Sequence, residues 1–295
     1  MDIRVLRYFL TLAAEGSISA AAKALYTTQP NLSKQLSELE KEVGQTLFIR
    51  GSRKIMLTDA GMLLRKRAQE VVRLLEKTEQ DLANFDDLVS GDVYIGNGET
   101  PAMKIIARAV HQLQHAYPQI RYHLQSGYAY DVMEGLDKSL LDFGVLIEPI
   151  DLTQYDHIRL PITNTLGLLM RKDNPLTSLP AIRPEDMRKT PLLCSKQILD
   201  ENGLSSWLGY DCHELNIVST FNLIGTPALL VEEGVGSAIS FENLLNLSGD
   251  CQLCFRPLEP GLKLDVYLVW KKHQTFSKAA QKFLECLHQV IGEYA

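Results

Sequence analysis

The sequence predicts a multidomain α+β protein: an N-terminal winged helix-turn-helix, one long linker helix, and a C-terminal α/β domain in two lobes. Three observations predict it. Apolar positions recur at helical spacing across the first 45 residues, broken by Gly16 and by the polar turn Tyr26-Thr27-Thr28. No proline, and no glycine after Gly61, interrupts the run from Thr58 to Gly91. Beyond Gly91, strand-like and helix-like segments alternate in two successive series. A chain of 295 residues is too long for one ordinary core. The expected boundaries are 1–58 for the winged domain, 59–90 for the linker helix, 91–161 with 264–295 for lobe I, and 162–263 for lobe II.

The first helix has Asp2 as its cap, Ile3, Leu6, Phe9, Leu10, Leu12 and Ala13 on its apolar face, and Gly16 as its stop. Ser17 opens a second helix, where Ala21 and Ala22 allow close approach. Thr28 caps a third, and Pro30 suits its first turn, where an N–H has no partner to lose. Leu32, Leu36, Leu39 and Val43 turn inward and Gly44 ends the helix. That leaves Gln29, Asn31, Ser33, Lys34, Ser37 and Glu38 outside. This is helix-turn-helix spacing, in which the second helix of the pair presents its N-terminal side chains to base edges in the major groove. Gln29 and Asn31 each donate and accept, as bidentate reading of adenine requires. Thr27, Thr28, Ser33 and Lys34 suit phosphate oxygens, and Lys34 has the reach for guanine. A small bundle with a polar surface shares the same pattern.

Leu47-Phe48-Ile49 and Lys54-Ile55-Met56-Leu57 flank a Gly51-Ser52 turn and read as a hairpin. Arg50, Arg53 and Lys54 cluster at its tip, a wing able to reach a minor groove or backbone. Net charge is −6 but uneven: residues 1–75 hold 12 basic and 7 acidic side chains, residues 76–295 hold 18 and 29. The positive part is the one that would meet a polyanion.

Phe9, Ala13-Ala14-Glu15-Gly16-Ser17, Ala21-Ala22, Leu25, Thr28-Gln29-Pro30-Asn31-Leu32-Ser33-Lys34-Gln35, Leu39-Glu40, Gly44, Leu47-Phe48, Arg50, Arg53, Leu57-Thr58 and Ala60-Gly61 together resemble the winged helix-turn-helix of LysR-type transcriptional regulators. The resemblance is nearly gap-free over about sixty residues. It implies base and phosphate contacts at Gln29, Pro30, Ser33 and Lys34 and at wing residues Arg50 and Arg53. Lys34 stands where the family often has arginine, which removes a planar two-pronged donor. Asn31 replaces a commonly small apolar residue and adds a possible contact of its own.

Thr58 caps the linker helix, with Asp59 favourable at its N-terminus. Leu64, Ala68, Val71, Leu75, Thr78, Leu82 and Phe85 advance in alternating steps of four and three, a heptad seam. About 30 residues span about 45 Å. With polar flanks on the other faces, the seam is expected to pair two copies, and the resemblance implies the same use; packing within its own domain is the other reading.

In the C-terminal part, Asp92–Gly96, Gln119–Leu124 and Asp142–Ile147 read as strands, with helices over Pro101–Tyr117 and Tyr130–Leu140. The second series has strands at Gly167–Arg171, Pro191–Ser195, Leu215–Thr220 and Gly236–Phe241, with helices near Ile198–Leu208 and Asn222–Glu233. Leu264–Trp270 and a helix over Ser277–Tyr294 close the chain. Alternation implies parallel pairing. Two α/β lobes with crossings near Pro161 and Leu262 are similar to the periplasmic-binding-protein-like effector domain of the same family. The resemblance implies a small-molecule effector, of unknown identity, between the lobes, where strand ends and helix N-termini converge. Thr100, Ser126, Tyr128 and Ile147 are expected to line it from lobe I, and Ser195, Lys196, Phe221 and Asn222 from lobe II. Tyr128 is large where the family is usually small or hydroxylic, and Glu99 brings negative charge to the mouth.

Cys251 and Cys254 form a lone C-x-x-C without the four ligands zinc needs. No H-E-x-x-H, Walker loop, G-x-S-x-G or triad order is present, so neither a catalytic nor a metal site is expected, and no cofactor. The alternative to a ligand-switched regulator is a redox-responsive one using Cys194 and Cys212; a two-lobed enzyme with a DNA-binding appendage would need a catalytic constellation. The odd count of five cysteines and the absence of an export signal point to a reducing cytoplasm, and no apolar run is long enough for a membrane span. Expected partners are double-stranded promoter DNA, the effector, a second copy or three more of this chain, and RNA polymerase if the protein activates.

Overall fold

In the computed structural model, which describes residues 1–50, 54–83, 89–188, 190–200 and 202–294, the chain divides into two units, Met1–Ala83 and Asn84–Ala295. In the first, α1 (Ile3–Glu15) starts where the Asp2 carboxylate accepts from Arg4 N and stops at Gly16, whose φ of 68° suits glycine. Ser17 accepts from Ala20 N to open α2 (Ile18–Ala24). Tyr26 takes a left-handed φ of 51° in the turn. Thr28 then accepts from Asn31 N to open α3 (Gln29–Val43), which ends at left-handed Gly44. Phe9, Leu12, Ala21, Leu32 and Leu36 are wholly buried and hold the three helices together.

Strands β1 (Phe48–Arg50) and β2 (Ile55–Leu57) pair antiparallel, Phe48 opposite Leu57 and Arg50 opposite Ile55. Glu40 of α3 accepts from Leu47 N (2.8 Å), and Ile55 N donates to Gly16 O (2.8 Å), so the wing is tied to the helices on both sides. The Gly51-Ser52 turn lies outside the described residues. α4 (Asp59–Ala83) opens where Thr58 Oγ1 accepts from Gly61 N (3.0 Å) while donating to Thr46 O (2.7 Å). Gly61 is required here, because a Cβ would sit 1.9 Å from Leu47 O.

The face of α4 toward its own domain differs from the seam expected of it. Leu64 and Ala68 pack with Val72 against Ile3, Leu6 and Leu10 of α1, and Arg7 pairs with Glu76 at 3.0 Å. These side chains follow the 3.6-residue period and serve the domain's own core. Leu75 is half-buried; Val71, Thr78 and Leu82 are exposed, as are Leu63 and Leu74, whereas Phe85 lies outside the described residues.

In the second unit, lobe I contains β3 (Gly91–Asn97), α5 (Met103–Ala116), β4 (Ile120–Ser126), α6 (Ala129–Asp137), β5 (Phe143–Ile147) and β6 (Tyr155–Arg159). The chain crosses to lobe II through β7 (Asn164–Arg171). There follow α7 (Pro184–Met187), β8 (Leu192–Ser195), α8 (Lys196–Asp200), α9 (Asn202–Leu208), β9 (Ile217–Phe221), α10 (Gly225–Glu232), β10 (Ser237–Phe241) and β11 (Leu253–Pro257). The short β12 (Lys263–Leu264) pairs with β7; β13 (Val266–Lys271) returns to the first sheet, and α11 (Lys278–Gly292) covers it.

The sheet orders are β4-β3-β5-β13-β6 and β11-β7-β10-β8-β9. Pairing is parallel within each strand-helix series but antiparallel wherever β13 or β7 joins, because those strands carry the chain between lobes. Strands β6 and β11 are additions to the expected set. β6 reads YDHIR, an edge strand with polar residues on its outer side, and β11 ends in proline, so neither shows an apolar run. Lobe I is centred on Phe143 and Phe283, with α5 and α11 against the sheet. Lobe II has a cluster on each face of its sheet. Among the described residues no helix is long and apolar enough to cross a membrane.

Candidate functional site

The N-terminal turn of α3 is open to solvent. Gln29, Pro30 and Asn31 are exposed, while Leu32 and Leu36 one turn on are wholly buried and fix the helix. Asn31 Nδ2 donates to Thr27 Oγ1 (3.0 Å), which ties its amide to the preceding turn. Lys34 is 73% exposed and lies 3.9 Å from Glu38, a loose surface pair of little energetic weight. Ser33 is half-buried. Exposed Lys54 immediately precedes the second wing strand; the Arg50 side chain and Arg53 lie outside the described residues. Tyr26, 99% exposed beside the start of α3, was not among the expected contacts. Its left-handed backbone turns the ring outward, and nothing in the local pattern announces that.

Between the lobes lies a cleft of about 610 Å³, its open mouth included. It brings together Tyr128 and Ile147 from lobe I with Ser195, Phe221 and Asn222 from lobe II. Three expected lining residues are placed elsewhere. Thr100 is buried, its hydroxyl donating to Asn164 Oδ1 (2.7 Å) and accepting from Ala102 N (3.1 Å), so it ties lobe I to the crossing strand instead of facing a ligand. Ser126, at the end of the edge strand, is exposed and accepts from Asn97 Nδ2 (3.3 Å). Lys196 opens into a neighbouring surface pocket with Tyr130, Met133 and Asp151.

Residues not foreseen as lining include Gln197, Ile198, Ile224 and Phe241, and the two acids Glu99, expected at the mouth, and Glu148, next to Ile147, line the cleft as well. Three bonds bridge the lobes across the cleft. Tyr128 donates its hydroxyl to Phe221 O (3.1 Å), Gln197 Oε1 accepts from Ala129 N (3.1 Å), and Glu99 Oε2 accepts from Ile224 N. Burial pushes the Glu99 carboxyl above the ordinary glutamate range, and the Ile224 N–H only partly offsets this. Glu148 accepts from Tyr267 Oη (3.0 Å) and Asp265 N (3.2 Å), both in lobe I.

The sequence of both units matches one family. The profile described as LysR substrate binding domain covers residues 86–292, and that described as bacterial regulatory helix-turn-helix protein, lysR family, covers residues 3–62. The chain belongs to the LysR family of transcriptional regulators. Two relatives from Bacillus subtilis (strain 168) match over nearly their whole length. The HTH-type transcriptional regulator YvbU is 28% identical, with 99% of each chain covered; BsdA is 29% identical, with 97% of this chain and 99% of its own covered. Among solved structures, CbnR, a LysR family transcriptional regulator, superposes with a TM-score of 0.78 at 18% identity over 99% of both chains. Full-length CbnR in complex with its target DNA gives 0.76 at 19% identity, covering 98% of this chain and all of that one. As a LysR regulator, the protein joins a helix-turn-helix DNA-binding domain to a substrate-binding domain.

The cysteines have ordinary surroundings. Cys194 and Cys212 are buried in one lobe II cluster, and burial pushes the Cys194 thiol well up. Cys212 Sγ donates to Leu199 O (3.4 Å). Cys251 and Cys254 pack into clusters on opposite faces of the lobe II sheet. Asp211, Cys212 and His213 bring ligand-capable atoms within 4.8 Å of one another, but they are three successive residues of one short turn that Asp211 caps by accepting from His213 N.

Proposed function

We propose that the protein binds duplex promoter DNA as a homodimer or pair of dimers, and that a small molecule held between the lobes shifts the geometry of that assembly. Gln29 and Asn31 read base edges. Thr27, Thr28, Pro30, Ser33 and Lys34 settle the helix against phosphates, and Arg50, Arg53 and Lys54 extend the wing to the adjacent backbone or minor groove. The observation that carries the reading is the first turn of α3: three solvent-facing residues, two with amides, on a helix locked by wholly buried leucines. The outward stripe of α4, Val71, Leu75, Thr78 and Leu82 with Leu74, supplies the pairing surface.

The cleft supports the ligand-switched reading over the redox one. It lies between lobes joined by two crossings, where a ligand touching both sides favours one arrangement over another. The buried Cys194 thiol, by contrast, ionises poorly and reacts slowly with oxidants. If the switch activates transcription, RNA polymerase is the further partner. Footprinting on the protein's own promoter region tests the proposal. The protected segment is expected to change length or acquire a new hypersensitive site when ligand is added; absence of any protected segment at low salt would refute it.

A further inference from the structure

The cleft's lining has a one-sided charge. Glu99 and Glu148 face it, and among the described residues no lysine, arginine or histidine does. The two acids are unequal. Both oxygens of Glu148 already accept bonds from lobe I, and Arg159, paired with Asp265 at 2.7 Å, lies near enough to feel its charge. Glu99 has no ion pair among the described residues. One of its oxygens accepts from Ile224 N and the other has no hydrogen-bond partner there. A carboxylate taken half out of water without a cation is costly, and a bound cation would relieve that cost.

The cleft is also poorly prepared for an anion. In such folds helix N-termini supply the N–H groups that receive a carboxylate. Here the Ile224 N–H, at the start of α10, is taken by Glu99, and the Ala129 N–H, at the start of α6, is taken by Gln197. At these two helix starts the protein's own side chains fill the place where a ligand carboxylate would go. A second negative charge within several ångströms of Glu99 would be repelled. The rest of the lining is uncharged: Ser195, Gln197, Asn222 and Ser240 are polar, while Tyr128, Phe221, Phe241 and Ile198 give aromatic and apolar packing surface for a cationic ligand.

Resting on the reading of the cleft as an effector site, we infer that the effector is a protonated amine on an apolar, ring-sized body: the ammonium binds the open oxygen of Glu99 and the body lies among Tyr128, Phe221 and Phe241. The site discriminates against carboxylates of the same shape.

Matched probes test this on the full-length protein. Tryptamine and 2-phenylethylamine are compared with indole-3-propionate and 3-phenylpropionate by titration calorimetry and thermal shift. Both amines are expected to bind and raise the melting temperature, with affinity at least about tenfold above the matched acid. Glu99→Gln keeps an oxygen for the Ile224 N–H and removes only the charge; it is expected to weaken amine binding about tenfold or more. Equal or tighter binding of the acids, no binding by either amine, or an unchanged amine affinity in E99Q would each overturn the inference. If E99Q folds poorly, the wild-type ratio of amine to acid affinity still decides. Promoter binding is measured separately. Intact DNA binding without amine binding removes this inference alone, whereas amine binding without DNA binding removes the regulator reading.

Discussion

Gln29 stands exposed at the first position of α3, where the cap bond is made by Thr28. Gln29→Ala is therefore expected to leave the melting temperature near that of the wild type and to lower the operator-to-random-DNA affinity ratio by about 1–3 kcal/mol, read by gel shift at matched salt. Glu99 gives a second residue-scale prediction. Its folded-state carboxyl titrates above the ordinary range, so the folded state holds that proton more firmly than the unfolded chain. Its contribution to stability is complete below the unfolded value and is lost as pH rises through the folded one. Without ligand, E99Q should thus gain on the wild type in melting temperature between about pH 4 and pH 7. The neighbouring Thr100 illustrates what a local pattern conceals. A threonine near a helix N-terminus reads as a ligand contact, but its hydroxyl is claimed by Asn164, 64 residues away. Glu99 was legible as an acid at the mouth, whereas its bond to Ile224 N, 125 residues away, was not.

At the scale of elements, the helix-turn-helix was legible almost position by position, because caps, turn and core are set by neighbours within four residues. Asp2, Ser17, Thr28 and Thr58 each accept the N–H bond expected of a cap. The linker helix was harder. Leu64 and Ala68 belong both to a heptad and to a 3.6-residue stripe, and only the position of α1 decides between them. Val71 is 49% exposed, Leu74 41% and Leu82 65%, which places the unburied apolar stripe a fraction of a turn away from the buried one. Val71→Asp should shift the protein toward monomer in sedimentation while leaving the helix content unchanged. Leu36→Ala, by contrast, removes a wholly buried side chain from the three-helix core and is expected to cost about 2–5 kcal/mol of domain stability, measured by denaturant unfolding. Strands β6 and β11 escaped notice because an edge strand needs no alternating apolar code.

At the scale of the molecule, the two lobes were legible from the repeated alternation, and the two crossings from where it broke. The bonds that bridge the cleft join residues from 68 to 125 positions apart, a separation no short-range pattern reaches. They hold the lobes together across the cleft. Tyr128→Phe deletes the hydroxyl that donates to Phe221 O, and should speed hydrogen exchange of the Ile224 amide about two- to tenfold by easing the opening of the cleft. The Thr58 hydroxyl has a consequence of a different kind. By grasping Thr46 and Gly61 at once, with Leu64, Ala68 and Val72 clamped on α1 just beyond, it makes the first half of the rod a handle fused to the reading head. A twist applied anywhere along that handle steers the head as one solid piece, with no slack at the joint to absorb it.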